Sequence, residues 1–151
     1  MSAEAALIDT NVLVYALFAQ RAEHAVSLAL LESAQEETAD LCVAPQNLAE
    51  FYAVVTNPRR VSTPLSAGDA RAEVEKLVSL AGLRLLEVPP DIVARWNALL
   101  ERYPVTGRAF YDIQLVAVML AHDIRRIYTF DRKDFARFTE LELLTPPVAS
   151  S

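Results

Sequence analysis

One cysteine, three glycines, two histidines and two lysines are all that this 151-residue chain holds of those residue types, and each shortage removes a class of function. Cys42 alone cannot close an internal disulfide, and Leu41-Cys42-Val43 reads as a strand in which it fills core. Together with His24 and His122 it cannot supply a four-ligand zinc site. Gly68, Gly82 and Gly107 stand too far apart for a dinucleotide fingerprint or a P-loop, which need clustered glycine so that backbone can approach phosphate. There is no G-x-S-x-G elbow. The longest uninterrupted apolar runs, Val12 to Ala19 and Leu115 to Ala121, fall far short of the roughly 20 residues of a membrane span. Met1 to Ala6 lacks a basic region and Asp9 interrupts the apolar stretch after it, so no secretory signal and a cytoplasmic location are predicted.

What is present is a globular composition, with 53% hydrophobic and 23% charged residues. No repeat, linker or low-complexity tract divides it, which predicts one domain over 1–151, with a core of about 5–145 and a frayed tail at 146–151. Strands are predicted at about Ala5 to Asp9, Leu41 to Ala44, Leu83 to Val88, Arg126 to Phe130 and, as a candidate fifth, Leu141 to Leu144. Helices fill the intervals: Val12 to Ala19, His24 to Gln35, Pro45 to Thr56, Ser66 to about Gly82, a segment through Arg95, Trp96 and Leu100, Phe110 to His122, and Lys133 to Phe138. Alternating β and α elements predict an α/β three-layer α/β/α sandwich around a mostly parallel sheet of four or five strands. In such sheets, sites gather where strands end and turn into helices.

Four acids stand at such places. Asp9 ends the first strand and Asp131 the fourth, each placed to cap a helix N-terminus. Glu50 lies in the helix after the second strand, spaced from Asn47 like a capping pair. Asp112 is the sole formally charged residue from Ala109 to Ala121, in a helix apolar nearly all round. A carboxylate there must be neutralised, bound to metal or paired, with Arg108 as the nearby candidate. Four carboxylates at one sheet edge repel one another unless cations lie between them. Oxygen ligands select hard ions such as Mg²⁺ or Mn²⁺, which activate water and stabilise charge in phosphodiester hydrolysis. The net charge of −6, from 20 acids against 14 bases, argues on its face against a nucleic-acid binder. With four of the excess negatives placed in a metal pocket, that objection lapses.

The strings Leu7-Ile8-Asp9-Thr10-Asn11-Val12-Leu13-Val14-Tyr15, Ala49-Glu50-Phe51, Phe110-Tyr111-Asp112-Ile113 and Tyr128-Thr129-Phe130-Asp131-Arg132-Lys133-Asp134-Phe135 resemble those of PIN-domain ribonucleases. The closer resemblance is to VapC-type toxins of toxin–antitoxin pairs, and it extends from Leu7 to about Leu144. It implies a PIN-like parallel sheet flanked by helices and Mg²⁺- or Mn²⁺-dependent RNA cleavage at Asp9, Glu50, Asp112 and Asp131. Asp9 and Asp112 would be the principal metal ligands, supported by Thr10, Asn11 and Thr129. Asp134 matches the second acid of the last motif, with capping or orienting of its helix expected over metal contact. The resemblance also implies an antitoxin partner that covers the site, often through an arginine, and a homodimer.

RNA contact needs cations near the acids, and Arg59, Arg60, Arg108, Arg132 and Lys133 are the candidates. Phe18, Phe51, Tyr52 and Trp96 are expected in core, and neither histidine is expected to act as a base. Two other readings stand beside the nuclease. One is a non-catalytic RNA- or protein-binding module on the same fold, which would need no metal. The other is an aspartyl phosphotransferase, disfavoured because Asp9-Thr10-Asn11 lacks the second Asp of an Asp-x-Asp motif and only Lys76 and Lys133 are available to assist it.

Overall fold

Alternation along three-residue strands decides the layering. The computed structural model describes residues 5–147, and in it β1 (Ala6–Ile8) turns Leu7 to one face and Ala6 and Ile8 to the other. β2 (Leu41–Val43) does the same with Cys42 against Leu41 and Val43, so Cys42 is core filler as expected. Both strands are buried throughout, as befits a sheet covered on both faces. β3 (Leu83–Leu85), β4 (Arg126–Tyr128) and β5 (Glu142–Leu144) complete it, in the order β3-β2-β1-β4-β5 with every neighbouring pair parallel. The candidate fifth strand is therefore real.

α1 (Thr10–Tyr15), α2 (His24–Ser33), α3 (Pro45–Val55) and α4 (Ala67–Val78) pack on one face with Ile8, Val43 and Leu83. α5 (Ile92–Arg102) and α6 (Phe110–Ala121) pack on the other with Leu7, Cys42 and Ile127. A short α7 (Arg132–Phe135) joins β4 to β5. Leu7, Ile8, Ile113 and Ile127 are wholly buried, each contributing about 1.5–3 kcal/mol of hydrophobic stabilisation. Phe18 and Phe51 are buried, and Tyr52 and Trp96 pack against the two cores from the half-buried margin.

Local chemistry ends the elements. Pro45 opens α3, where its missing N–H is no loss. The Ser66 hydroxyl accepts from the Asp69 N–H at 3.1 Å to start α4. That helix stops at Val78 rather than near Gly82, because Gly82 is needed at the entry to β3. There its N–H bonds the Ala34 carbonyl at 2.6 Å, and a Cβ would strike the carbonyls of Ala34 and Glu36. β4 stops two residues earlier than predicted. The Asp131 N–H is taken by the Thr129 hydroxyl at 2.9 Å and the Phe130 N–H by the Asn11 amide oxygen at 3.4 Å, so the chain turns instead of extending the ladder. Of the predicted frayed tail, Pro146 is buried, and residues 148–151 lie outside the described residues.

The strand order fixes the position of the site. From β1 the chain winds outward through β2 and β3, then returns to β4 on the opposite side of β1 and continues to β5. Crossovers leave β1 and β4 in opposite directions, and a crevice opens at the carboxyl ends of these two neighbours.

Candidate active site

Asp9 follows β1 with extended backbone and caps α1, its Oδ1 accepting from the Thr10 N–H at 2.8 Å. The cap leaves Oδ2 available, and that atom accepts from the Thr129 hydroxyl at 2.7 Å and from the Asn11 amide at 3.3 Å. Capping and site membership are thus compatible in one carboxylate. Thr129, wholly buried, spends its single proton on Asp9 and its lone pairs on the Asp131 N–H. The Asn11 amide donates at 2.9 Å to Asp131 Oδ2, which joins the acid after β1 to the acid after β4. Asp131 makes no side-chain cap to α7. Its carboxylate is committed to Asn11 instead.

The expected Asn47–Glu50 capping pair does not form. Asn47, 1% exposed, accepts from the Ala44 N–H at 2.8 Å and donates to the Thr10 hydroxyl at 3.3 Å. Thr10 donates to Glu50 Oε2 at 3.3 Å, and the Gln46 amide donates to Glu50 Oε1 at 2.9 Å. Glu50 is therefore aimed by Thr10 from α1 and by Gln46 one turn back on α3.

Asp112 lies in the first turn of α6, half-buried, and no donor among the described residues bonds its carboxylate. The Arg108 ion pair does not form, and the cation whose charge it feels is Arg137. Burial, followed by the charges of Asp134 and Asp9, pushes it up to about 7 against the pull of Arg137. Asp9 rises to about 6, chiefly through burial, with the Thr129 and Thr10 hydrogen bonds opposing and Asp131 and Glu50 adding to the rise. Asp134 is thus an electrostatic neighbour of Asp112. Its side chain forms no cap among the described residues.

A cleft of about 1300 Å³ holds all five acids, Asp9, Glu50, Asp112, Asp131 and Asp134, together with Thr10 and Asn11. On the α1 side it continues over Val14, Tyr15, Phe18 and Val61, with Arg21 over the Tyr15 ring at 5.0 Å. Arg60 and Arg108 line it, as does Arg137. Arg59, Arg132 and Lys133 are exposed and do not line it, and Arg132 bonds the Leu143 carbonyl at 3.2 Å. Sequence reasoning missed Gln46, the true partners of Asn47, and Arg137. The polar pair after Pro45 was a signal for the first two, since Asn at the third helical position can reach back to the cap N–H. Arg137 left no signal.

The donor set fits a hard divalent ion. The facing oxygens are those of the carboxylates and the Thr10 hydroxyl, and two of the acids carry a burial cost that a cation would relieve. Among the described residues, no three acids, histidines or cysteines stand close enough to hold an ion by themselves. An ion held here would therefore keep several waters and take one or two carboxylates directly, as Mg²⁺ can.

The family model of the PIN domain matches residues 6–141. Ribonuclease VapC43 of Mycobacterium tuberculosis is 32% identical over 139 residues, covering 92% of this chain and 93% of that protein. Two solved structures are similar in fold. One is M. tuberculosis VapC20, described as a sarcin-ricin loop cleaving toxin, with TM-score 0.65 and 19% identity over 89% of this chain and 95% of that one. The other is a toxin–antitoxin complex from Klebsiella pneumoniae, with TM-score 0.59 and 22% identity over 95% of this chain and 98% of that one.

Proposed function

The chain belongs to the PIN-domain family, and from that premise we propose that it is an endoribonuclease of the VapC type, the toxin of a toxin–antitoxin pair, dependent on Mg²⁺ or Mn²⁺. The observation that carries the reading is the convergence of Asp9, Glu50, Asp112, Asp131 and Asp134 on one cleft at the β1/β4 crevice. Asp9 and Asp112 would hold the ion directly, with Glu50, Asp131 and Asp134 acting through water or by charge. Bound there, a divalent ion supplies an activated water and stabilises charge on the phosphoryl oxygens.

The chain's own residues do the positioning. Thr129 and the Thr10 N–H fix both oxygens of Asp9, and Asn11 keeps Asp131 facing it. Thr10 and Gln46 orient Glu50. Arg60 and Arg108 attract the RNA backbone into the cleft, while Arg59, Arg132 and Lys133 meet only phosphates beyond it. The partner is an antitoxin, a reading supported by the toxin–antitoxin complex from K. pneumoniae, and its covering of the cleft is proposed with it. A homodimer is part of the same proposal.

The test is calorimetric titration of Mn²⁺ into antitoxin-free protein, wild type against Asp112→Asn, followed by RNA cleavage. Binding lost in the variant is expected. A well-folded wild type that binds no Mn²⁺ would leave the fold as a non-catalytic binding module.

A further inference from the structure

α3 and α6 belong to opposite layers of the sandwich, α3 with the core under Ile8 and Val43 and α6 with the core under Leu7 and Ile127. They carry Glu50 and Asp112, two of the acids that face each other across the cleft. One side chain spans them. Gln46 Nε2 donates to Glu50 Oε1 at 2.9 Å and to the Tyr111 carbonyl, next to Asp112, at 2.9 Å. Both amide protons are thereby used, one on the acid of α3 and one on the first turn of α6.

The other end of the amide is unpaired. Gln46 Oε1 is buried and has no hydrogen-bond partner among the described residues. Turning the amide over would place that oxygen against Glu50 and the Tyr111 carbonyl, both acceptors, so the orientation is determined by chemistry. A buried acceptor without a partner costs stability. That cost offsets part of what the two donations contribute, so the net stabilisation from this glutamine is small.

We propose that Gln46 is a positioning residue that clamps Glu50 on α3 to the Asp112-bearing turn of α6, setting the spacing of the acids for a divalent ion. This rests on the metal-dependent reading above. Gln46 touches neither substrate nor ion. It acts by fixing one oxygen of Glu50 and the backbone beside Asp112, so that the two acids meet an ion already spaced. Groups behind metal ligands commonly affect affinity by tenfold or more.

Gln46→Met keeps the length and removes both amide ends, and Gln46→Asn keeps the amide but shortens its reach. The experiment titrates Mn²⁺ calorimetrically into wild type and both variants and melts each without metal. Expected are Mn²⁺ binding weakened about tenfold in both and a metal-free melting temperature for Gln46→Met close to that of wild type. Should Gln46→Met fail to fold, or melt well below wild type, the residue is structural and the proposal falls. Wild-type affinity in either folded variant also overturns it while leaving the nuclease reading intact. A wild type that binds no Mn²⁺ overturns both.

Discussion

The two halves of the cleft are built differently. Around Asp9 and Asp131 nearly every polar atom is committed: Thr129, Asn11 and the Thr10 N–H hold the carboxylates at 2.7–3.3 Å. Around Asp112 and Asp134 no side chain donates to either carboxylate among the described residues, and Asp112 is pushed up to about 7 by burial and by its neighbours' charge. One half is fixed before any ligand arrives, and the other is held open by repulsion. Hydrogen bonds stabilise the charged form of a carboxylate and burial opposes it, so Asp9, which has both, lies at about 6. The fixed half supplies geometry and the open half supplies the demand for a cation.

The largest expected effect falls on the open half. Asp112→Asn should reduce metal-dependent RNA cleavage by about 10²- to 10³-fold, yet leave the metal-free protein more stable at pH 8. It removes a repelled charge and no hydrogen bond, for a gain of about 1 kcal/mol once water at this half-buried group is allowed for. Asp9→Asn should do the reverse to stability, since an amide nitrogen would face the Thr10 N–H or the Thr129 hydroxyl. Chemical denaturation of both variants tests the asymmetry, and a shift of the same sign in both would erase the distinction.

Thr129→Val, of similar shape, leaves the Asp131 N–H without its acceptor and takes from Asp9 Oδ2 the shorter of its two hydrogen bonds, Asn11 alone remaining. A loss of about 2 kcal/mol is expected, with the Asp9 carboxyl driven higher still, readable by NMR titration.

Acidity gives the next test. Asp9 and Asp112 stand at about 6 and 7 in the folded protein against an ordinary 3.8. The fold therefore binds protons more readily than the unfolded chain. Their contribution is fully favourable below about pH 4 and is lost as pH rises through 6 and 7. Metal-free protein should melt higher at pH 5 than at pH 8, and saturating Mn²⁺ should narrow the gap; a flat profile would contradict the raised carboxyls. The smallest effect is expected from Arg60→Ala and Arg108→Ala. Each should lower the salt dependence of RNA binding by about one unit of slope, whereas Arg132→Ala should change it less.

Asp9, Asp112 and Asp131 were legible because a strand ending in an acid, or one acid in an apolar helix, contradicts the local pattern. The parallel sheet was equally legible, since alternating apolar runs of strand and helix length allow little else. Asp134 was legible only through the motif it resembles and was expected to cap or orient its helix, since in sequence it is an ordinary first-turn acid; its effect on Asp112 comes from the fold. Asn47 pointed to Glu50 by spacing but turned to Ala44 and Thr10, which β1 places beside it. The end of β4 shifted by two residues for a related reason, because Asn11 reaches the backbone of Phe130 across 119 positions of sequence.

That same β1–β4 adjacency governs when, during synthesis, the cleft can be completed. Asp9 and Glu50 are made early, but Thr129, Asp131 and Asp134 come after every helix of the two main layers. Since domains emerge from synthesis N-terminus first, a chain that stops before β4 has Asp9, Glu50 and Asp112 and the bonds from Thr10 and Gln46, but lacks Thr129, Asp131 and Asp134. The cleft has all five of its acids only once the last fifth of the chain is being translated.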